Sequence, residues 1–166
     1  MRMIARLIAT VGGLGYLKPA PGTWASLAAL PLAWALHVWG GFPLLAGATL
    51  LAAVGGYWAS SVMVGEDRIK DPPEIVIDEV AGQWLALWAI SCPAWLHGIE
   101  IAALWPGWIS AFVLFRFFDI LKPGPIGWAD RRGGASGVMM DDLFAGIAAG
   151  AGTLLLAGLA HGILGL

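Results

Sequence analysis

The chain has 166 residues, 59% of them hydrophobic and only 12% charged, with a formal net charge of −2 and a mean hydropathy of +0.79. A soluble domain is near a quarter charged because its surface must stay wet, so this composition excludes a soluble globular protein, and the lack of a basic run excludes a nucleic-acid partner. A single cysteine, Cys92, excludes an internal disulfide and a thiolate metal cluster.

At the N-terminus Arg2 and Arg6 precede Ile8-Ala9-Thr10-Val11-Gly12-Gly13. This apolar stretch is too short and too glycine-rich for a signal peptide, and it is predicted to be an interfacial helix of the mature protein. No charged residue occurs in the 47 positions between Lys18 and Glu66. One helix of that length would measure roughly 70 Å, more than twice the hydrocarbon thickness of a bilayer, so the chain must fold back. Gly40-Gly41-Phe42-Pro43 is the predicted turn, with helices over residues 23–39 and 43–64. Between residues 80 and 115 the only charge is Glu100. That span would again be too long for one crossing, at roughly 54 Å. Breaks are predicted at Ser91-Cys92-Pro93 and Trp105-Pro106-Gly107, giving a third helix over 77–90 and a fourth over 106–121. An outer loop or half-helix carrying His97 and Glu100 lies between them. Residues 143–166 are uncharged and suit one further crossing. The expected architecture is all-α: a polytopic helical membrane protein with about five membrane-embedded helices and a single domain over residues 1–166. Ten Trp and 24 Gly agree with it, since Trp anchors at membrane interfaces and Gly lets helices approach closely.

Five crossings place segments 1–22, 65–79 and 116–142 on one side, and these hold 19 of the 20 charged residues, including all nine Lys and Arg. The positive-inside rule makes that side cytosolic. Avoidance of the spans by charge is ordinary for a membrane protein, but near-absence of charge from the opposite loops is not, and it points to a cytosolic working face.

Four clusters on that face could carry chemistry. Lys18-Pro19-Ala20-Pro21-Gly22-Thr23 opens the first helix, with Thr23 as candidate N-cap, free N–H groups suited to an anion and Lys18 as a mobile positive charge. The plainer alternative is a helix cap beside a positive-inside lysine. Asp71-Pro72-Pro73-Glu74 leads to Asp78 and Glu79 at the lip of the third helix. Acids in a first turn complement the helix dipole, yet these two run directly into an apolar span, where ionisable groups are costly. Arg116, Asp119 and Lys122 recur every three residues and share a helical face, as an intrahelical ion pair or as part of a phosphate site. Asp141 and Asp142 are expected to open the last helix about 100° apart, so that one caps it while the other binds metal, or each serves a different ion. Together the clusters supply carboxylates, Arg and Lys without His or Cys, a donor set that suits Mg²⁺ better than zinc and belongs to phosphoryl chemistry. His37, His97 and His161 fall on the far side or deep in apolar helices, and Cys92 lacks a phosphate loop, so phosphohistidine and cysteine phosphatase mechanisms have no nucleophile.

At these residues the chain resembles the phosphatidylglycerophosphatase A family of bacterial membrane lipid phosphatases. The resemblance is carried by Ala20-Pro21-Gly22-Thr23 with Ser26-Leu27, by Ile75-Val76-Ile77-Asp78-Glu79-Val80 with Gly82 and Trp84, and by an extended third stretch. That stretch runs through Phe115-Arg116, Asp119, Lys122-Pro123, Pro125-Ile126, Trp128, Asp130, Gly137-Val138-Met139, Asp141-Asp142 and Ala145-Gly146. Two residues, Ala135 and Ser136, stand where the family usually has one between its paired glycines and the Gly-Val-Met segment. The resemblance implies a hydrolase of phospholipid biosynthesis, multi-pass in the cytoplasmic (inner) membrane. It would be a Mg²⁺-dependent phosphoric monoester hydrolase converting phosphatidylglycerophosphate to phosphatidylglycerol and inorganic phosphate.

Asp78, Glu79, Asp119, Asp141 and Asp142 are then the expected Mg²⁺ ligands. Asp78, Glu79, Asp119 and Asp142 would act in catalysis, and Lys18, Thr23, Arg116 and Lys122 would bind phosphate. Attack by water is favoured, with an aspartyl-phosphate as the alternative. The partners are the lipid substrate and the bilayer, with no nucleotide, and the oligomeric state is left open. The rival readings are another head-group-processing membrane enzyme, which lacks the spaced-Asp pattern of the phosphotransferases, and a small ion-coupled transporter. The transporter would favour repeated halves, and the sequence contains none.

Overall fold

The computed structural model describes residues 1–64 and 72–164, so Asp71 and the other charged residues of segment 65–71 lie outside the described residues. All regular structure among the described residues is helical. The helices are α1 (Arg2–Ala9), α2 (Pro21–Val64), α3 (Ile77–His97), α4 (Trp105–Leu121), α5 (Pro125–Asp130) and α6 (Gly134–Leu164). Among the described residues three segments are long and apolar enough to cross a membrane: Pro21–Val64, Ile101–Leu121 and Gly134–Gly162.

The predicted turn within α2 is present. Its helical geometry fails at Gly40 (φ −148°, ψ 15°) and Gly41 (φ 65°, ψ −163°), and the second pair of angles is open only to glycine. Contacts with α3 give the direction of each limb. On the first limb Gly22 abuts Glu79, the Ala29 carbonyl accepts a hydrogen bond from the Trp84 indole at 2.9 Å, and His37 meets Ser91 at 2.7 Å. Gly41 then lies against Trp95. On the second limb Thr49 accepts from Trp88 and Gly56 abuts Ile77. The first limb therefore runs parallel to α3 and the second returns antiparallel to it. By the same reasoning α4 is antiparallel to α3, with Gly107 near Ile90 and Phe115 near Gly82, while α6 is parallel, with Gly146 at Gly82 and Gly150 at Ala86. Five rods thus surround or include α3, and the N-terminus of α3 shares one end of the bundle with the C-terminus of α4 and the early part of α6.

Several boundaries differ from expectation. The third helix does not stop at residue 90 but continues through Pro93 to His97, ending on Gly98 in the left-handed conformation. Proline deletes one N–H bond, and burial of neighbouring Ser91 and Ala94 against the bundle outweighs that loss. Thr23 is not the cap of α2, because Pro21 already begins the helix, where its missing N–H costs nothing. The last helix begins at Gly134 rather than near residue 143. Asp141 and Asp142 consequently sit about two turns inside it, which rules out a capping pair. Ala135 and Ser136, the departure from the family spacing, are absorbed into the first turn of α6. Residues 101–104 form a short 3₁₀ turn leading into α4.

At the N-terminus α1 turns Ala5 and Ala9 inward and Met3, Ile4 and Leu7 outward. The Ala9 carbonyl accepts the Val76 N–H at 2.8 Å, which ties α1 to the start of α3. Helix α3 crosses α6 where Gly82 and Gly146 face each other, because a β-carbon on Gly146 would run into the Gly82 carbonyl. Without a hydrophobic force between helices in lipid, such close backbone approach is the main source of association. A β-carbon on Gly82 would lie 2.6 Å from the wholly buried ring of Phe115. Gly82→Ala should therefore destabilise the detergent-solubilised protein by about 1–3 kcal/mol, read as a lower Tm.

Candidate active site

A cavity of about 250 Å³ opens at the end of the bundle where α3 begins and α4 ends. Its lining includes Asp78, Glu79, Asp119, Lys122, Asp141 and Asp142, walled by Pro21, Pro72, Pro73, Ile75 and Val138. Four chain segments far apart in sequence supply these groups. Pro72 and Pro73 cannot extend a helix, so α3 starts only at Ile77 and presents Asp78 and Glu79 in its first turn. Three carboxylates converge most closely: Asp78, Glu79 and Asp142 each offer an oxygen within 4.8 Å of the others. Asp78 and Asp142 are almost wholly buried, at 7% and 3% exposure.

Gly22 makes this convergence sterically feasible. A β-carbon there would collide with the Glu79 carboxylate, so an added methyl group would displace that side chain or lift the first turn of α2. One Glu79 oxygen, Oε2, is buried with no hydrogen-bond partner. Like charges this close repel, and a buried unpartnered carboxylate oxygen is costly, so the cluster favours a cation. The donors are all carboxylate oxygens, the ligand type that hard divalent cations take. The residues present fit a hard divalent cation.

The basic residues are placed unequally. The Arg116 guanidinium lies 2.6 Å from Asp119 and donates to the Ser26 hydroxyl at 3.4 Å, while Ser26 donates to the Gly22 carbonyl at 2.8 Å. Arg116 thus braces Asp119 and the Gly22 turn, just outside the cavity lining. Lys122 does not pair with Asp119 along its own helix. It caps α4 in the left-handed conformation (φ 46°) and its ammonium lies 2.5 Å from both Asp130 and Asp141. Glycine is the unstrained residue at such a position, so a lysine here accepts strain that its side chain must offset. Half-burial opposes the Lys122 charge, but the Asp130 and Asp141 carboxylates outweigh that effect and hold its pKa above the ordinary lysine range. The group is cationic throughout neutral pH.

Of the remaining sequence candidates, Lys18 is exposed and Thr23 half-buried in the first turn of α2, and neither lines the cavity. His37, Cys92 and His97 lie toward the opposite end of the bundle, near the Gly41 turn and the end of α3. Sequence reasoning overlooked the bracing role of Ser26, which only the hydrogen bonds reveal. It also overlooked Gln83, one turn from Glu79, fully buried with both amide atoms unpartnered. Its one signal was being the sole side-chain amide of the sequence.

The family model described as phosphatidylglycerophosphatase A matches residues 7–157. The phosphatidylglycerophosphatase A of Haemophilus influenzae is 37% identical over 143 residues, covering 85% of this chain and 81% of that protein. The protein of the same name from Escherichia coli K12 is 34% identical over 143 residues, covering 85% and 76%. A Bacteroides thetaiotaomicron protein, provisionally named a phosphatidylinositol-3-phosphatase, is 35% identical over 149 residues, covering 85% and 86%. No solved structure matches the chain significantly. The matched region contains every carboxylate and base of the cavity, and the chain belongs to the phosphatidylglycerophosphatase A family.

Proposed function

We propose that the chain is a Mg²⁺-dependent lipid phosphatase that removes the terminal phosphomonoester of phosphatidylglycerophosphate, releasing phosphatidylglycerol and inorganic phosphate. The observation that carries this reading is the joining of Asp78, Glu79 and Asp142 with Lys122 in one cavity of a chain belonging to this family. Asp78, Glu79 and Asp142 would hold the cation, with Asp119 and Asp141 beside them. When bound, Mg²⁺ supplies charge neutralisation for the phosphoryl group and activates water.

The chain's own groups do the rest. Lys122 turns its ammonium from Asp141 toward a phosphate oxygen, and Arg116 keeps Asp119 oriented into the cavity. Lys18 and Thr23, outside the lining, serve at most the approach of the head group. No Ser, Cys or His lines the cavity among the described residues, which favours water over those side chains as nucleophile. A carboxylate not engaged with the cation, Asp119 or Asp141, accepts the proton from that water. The water oxygen bonds to phosphorus as the P–O bond to the glycerol breaks, and the same carboxyl group returns its proton to the leaving glycerol oxygen.

The five parallel and antiparallel rods support five membrane crossings as a single domain. Lys and Arg at the cavity end support a site on the cytosolic side of the cytoplasmic membrane. The test is phosphate release by the purified protein from mixed micelles of phosphatidylglycerophosphate, phosphatidate or phosphatidylinositol 3-phosphate, each with Mg²⁺ or excess EDTA. Release should be fastest from phosphatidylglycerophosphate and should vanish in EDTA. Full activity in EDTA would refute the metal role. Preference for phosphatidylinositol 3-phosphate would refute the substrate, and ion flux in liposomes without phosphate release would refute the enzyme.

A further inference from the structure

Asp130 lies outside the cavity lining, yet its carboxylate is 2.5 Å from the Lys122 ammonium, as close as Asp141 on the cavity side. The local fold is built to bring it there. After Lys122 the chain reverses through Pro123 and Gly124 (φ 53°), and α5 runs back beside the lysine and ends at Asp130. Gly127 on α5 packs so tightly against the Lys122 carbonyl that a β-carbon would collide with it. Thus α5 holds both ends of this residue, its backbone through Gly127 and its charge through Asp130. A free lysine has four rotatable bonds and would settle wholly on Asp141, the nearly buried carboxylate, and so compete with an incoming phosphate.

We propose that Asp130 is a positioning residue that holds the Lys122 ammonium at the cavity rim, so that Lys122 exchanges Asp141 for a phosphate oxygen without losing its second anchor. The proposal rests on Lys122 serving the phosphate, as argued above, and it adds a residue that acts only through Lys122. Asp130→Asn keeps the shape of the side chain and removes the charge. It should raise KM for phosphatidylglycerophosphate, and the inhibition constant of inorganic phosphate, by about tenfold while kcat changes less. Asp130→Glu should recover most of that loss.

A double-mutant cycle separates positioning from a structural role. In a Lys122→Met background Asp130→Asn should have no further effect on KM. One readout needs neither lipid nor metal: reductive methylation of Lys122, followed by peptide mass spectrometry, should be several-fold faster in Asp130→Asn than in the wild-type protein. Equal methylation rates, or an undiminished Asp130→Asn effect in the Lys122→Met background, would overturn the proposal. Lack of phosphate release by the wild-type protein, with faster methylation in the variant, would instead indict the phosphatase reading and leave the anchoring of Lys122 standing.

Discussion

Asp142→Asn should eliminate phosphate release, a loss on the order of 10³-fold or more, while the protein remains folded. The Asp142 carboxylate is 3% exposed and shares a 4.8 Å cluster with Asp78 and Glu79. The amide is isosteric, so packing around it is retained, but one anionic oxygen ligand disappears. Removing one of several crowded negative charges also relieves repulsion. In the absence of Mg²⁺ the variant should therefore melt at or above the wild-type temperature, a stability gained at the expense of function. Phosphate release measured beside circular dichroism and thermal melting distinguishes the two effects. Asp78→Asn serves as the second variant and should behave alike. Activity within tenfold of wild type in both would remove the carboxylate cluster from the mechanism.

Gly22→Ala should lower activity on the order of 10²-fold through a single added methyl group. That methyl would occupy the position of the Glu79 carboxylate, so Glu79 must rotate away from Asp78 and Asp142 or the first turn of α2 must lift. Alanine is a better helix former than glycine, so the loss does not come from a general weakening of α2. The distinguishing measurement is the Mg²⁺ concentration needed for half-maximal phosphate release. It should rise in Gly22→Ala and stay unchanged in Gly47→Ala, where an added β-carbon meets open space in the same helix. An equal loss in both variants would mean that Gly22 matters only for helix stability.

The helical bundle was legible in the sequence because charge is a strong constraint in lipid. The gap from Lys18 to Glu66 forced a reversal, and Gly40-Gly41 was the place where a reversal costs least. Pro93 was a poorer guide. Proline reads locally as a break, but tertiary burial carried α3 through it to His97. Asp141 and Asp142 were misplaced for a related reason. The glycines before them resemble a loop, whereas packing of Val138 and Met139 against the second limb and α3 draws residues from Gly134 onward into helix.

The sequence by itself determined that the chain is a helical membrane protein and that nearly all its acids and bases fall outside the long apolar runs, because the energy of charge in hydrocarbon depends on residue type and run length alone. It also identified Asp78, Glu79, Asp119, Asp141, Asp142, Arg116 and Lys122 as candidates. Only the tertiary structure decided which of them meet. It joined Asp78, Glu79 and Asp142 closely, turned Lys122 toward Asp130 and Asp141 instead of Asp119, and left Lys18 and Thr23 outside the cavity lining. Those choices depend on helix crossings fixed by small residues such as Gly22, Gly82 and Gly146, and on a side chain's direction in three dimensions, neither of which a linear spacing encodes.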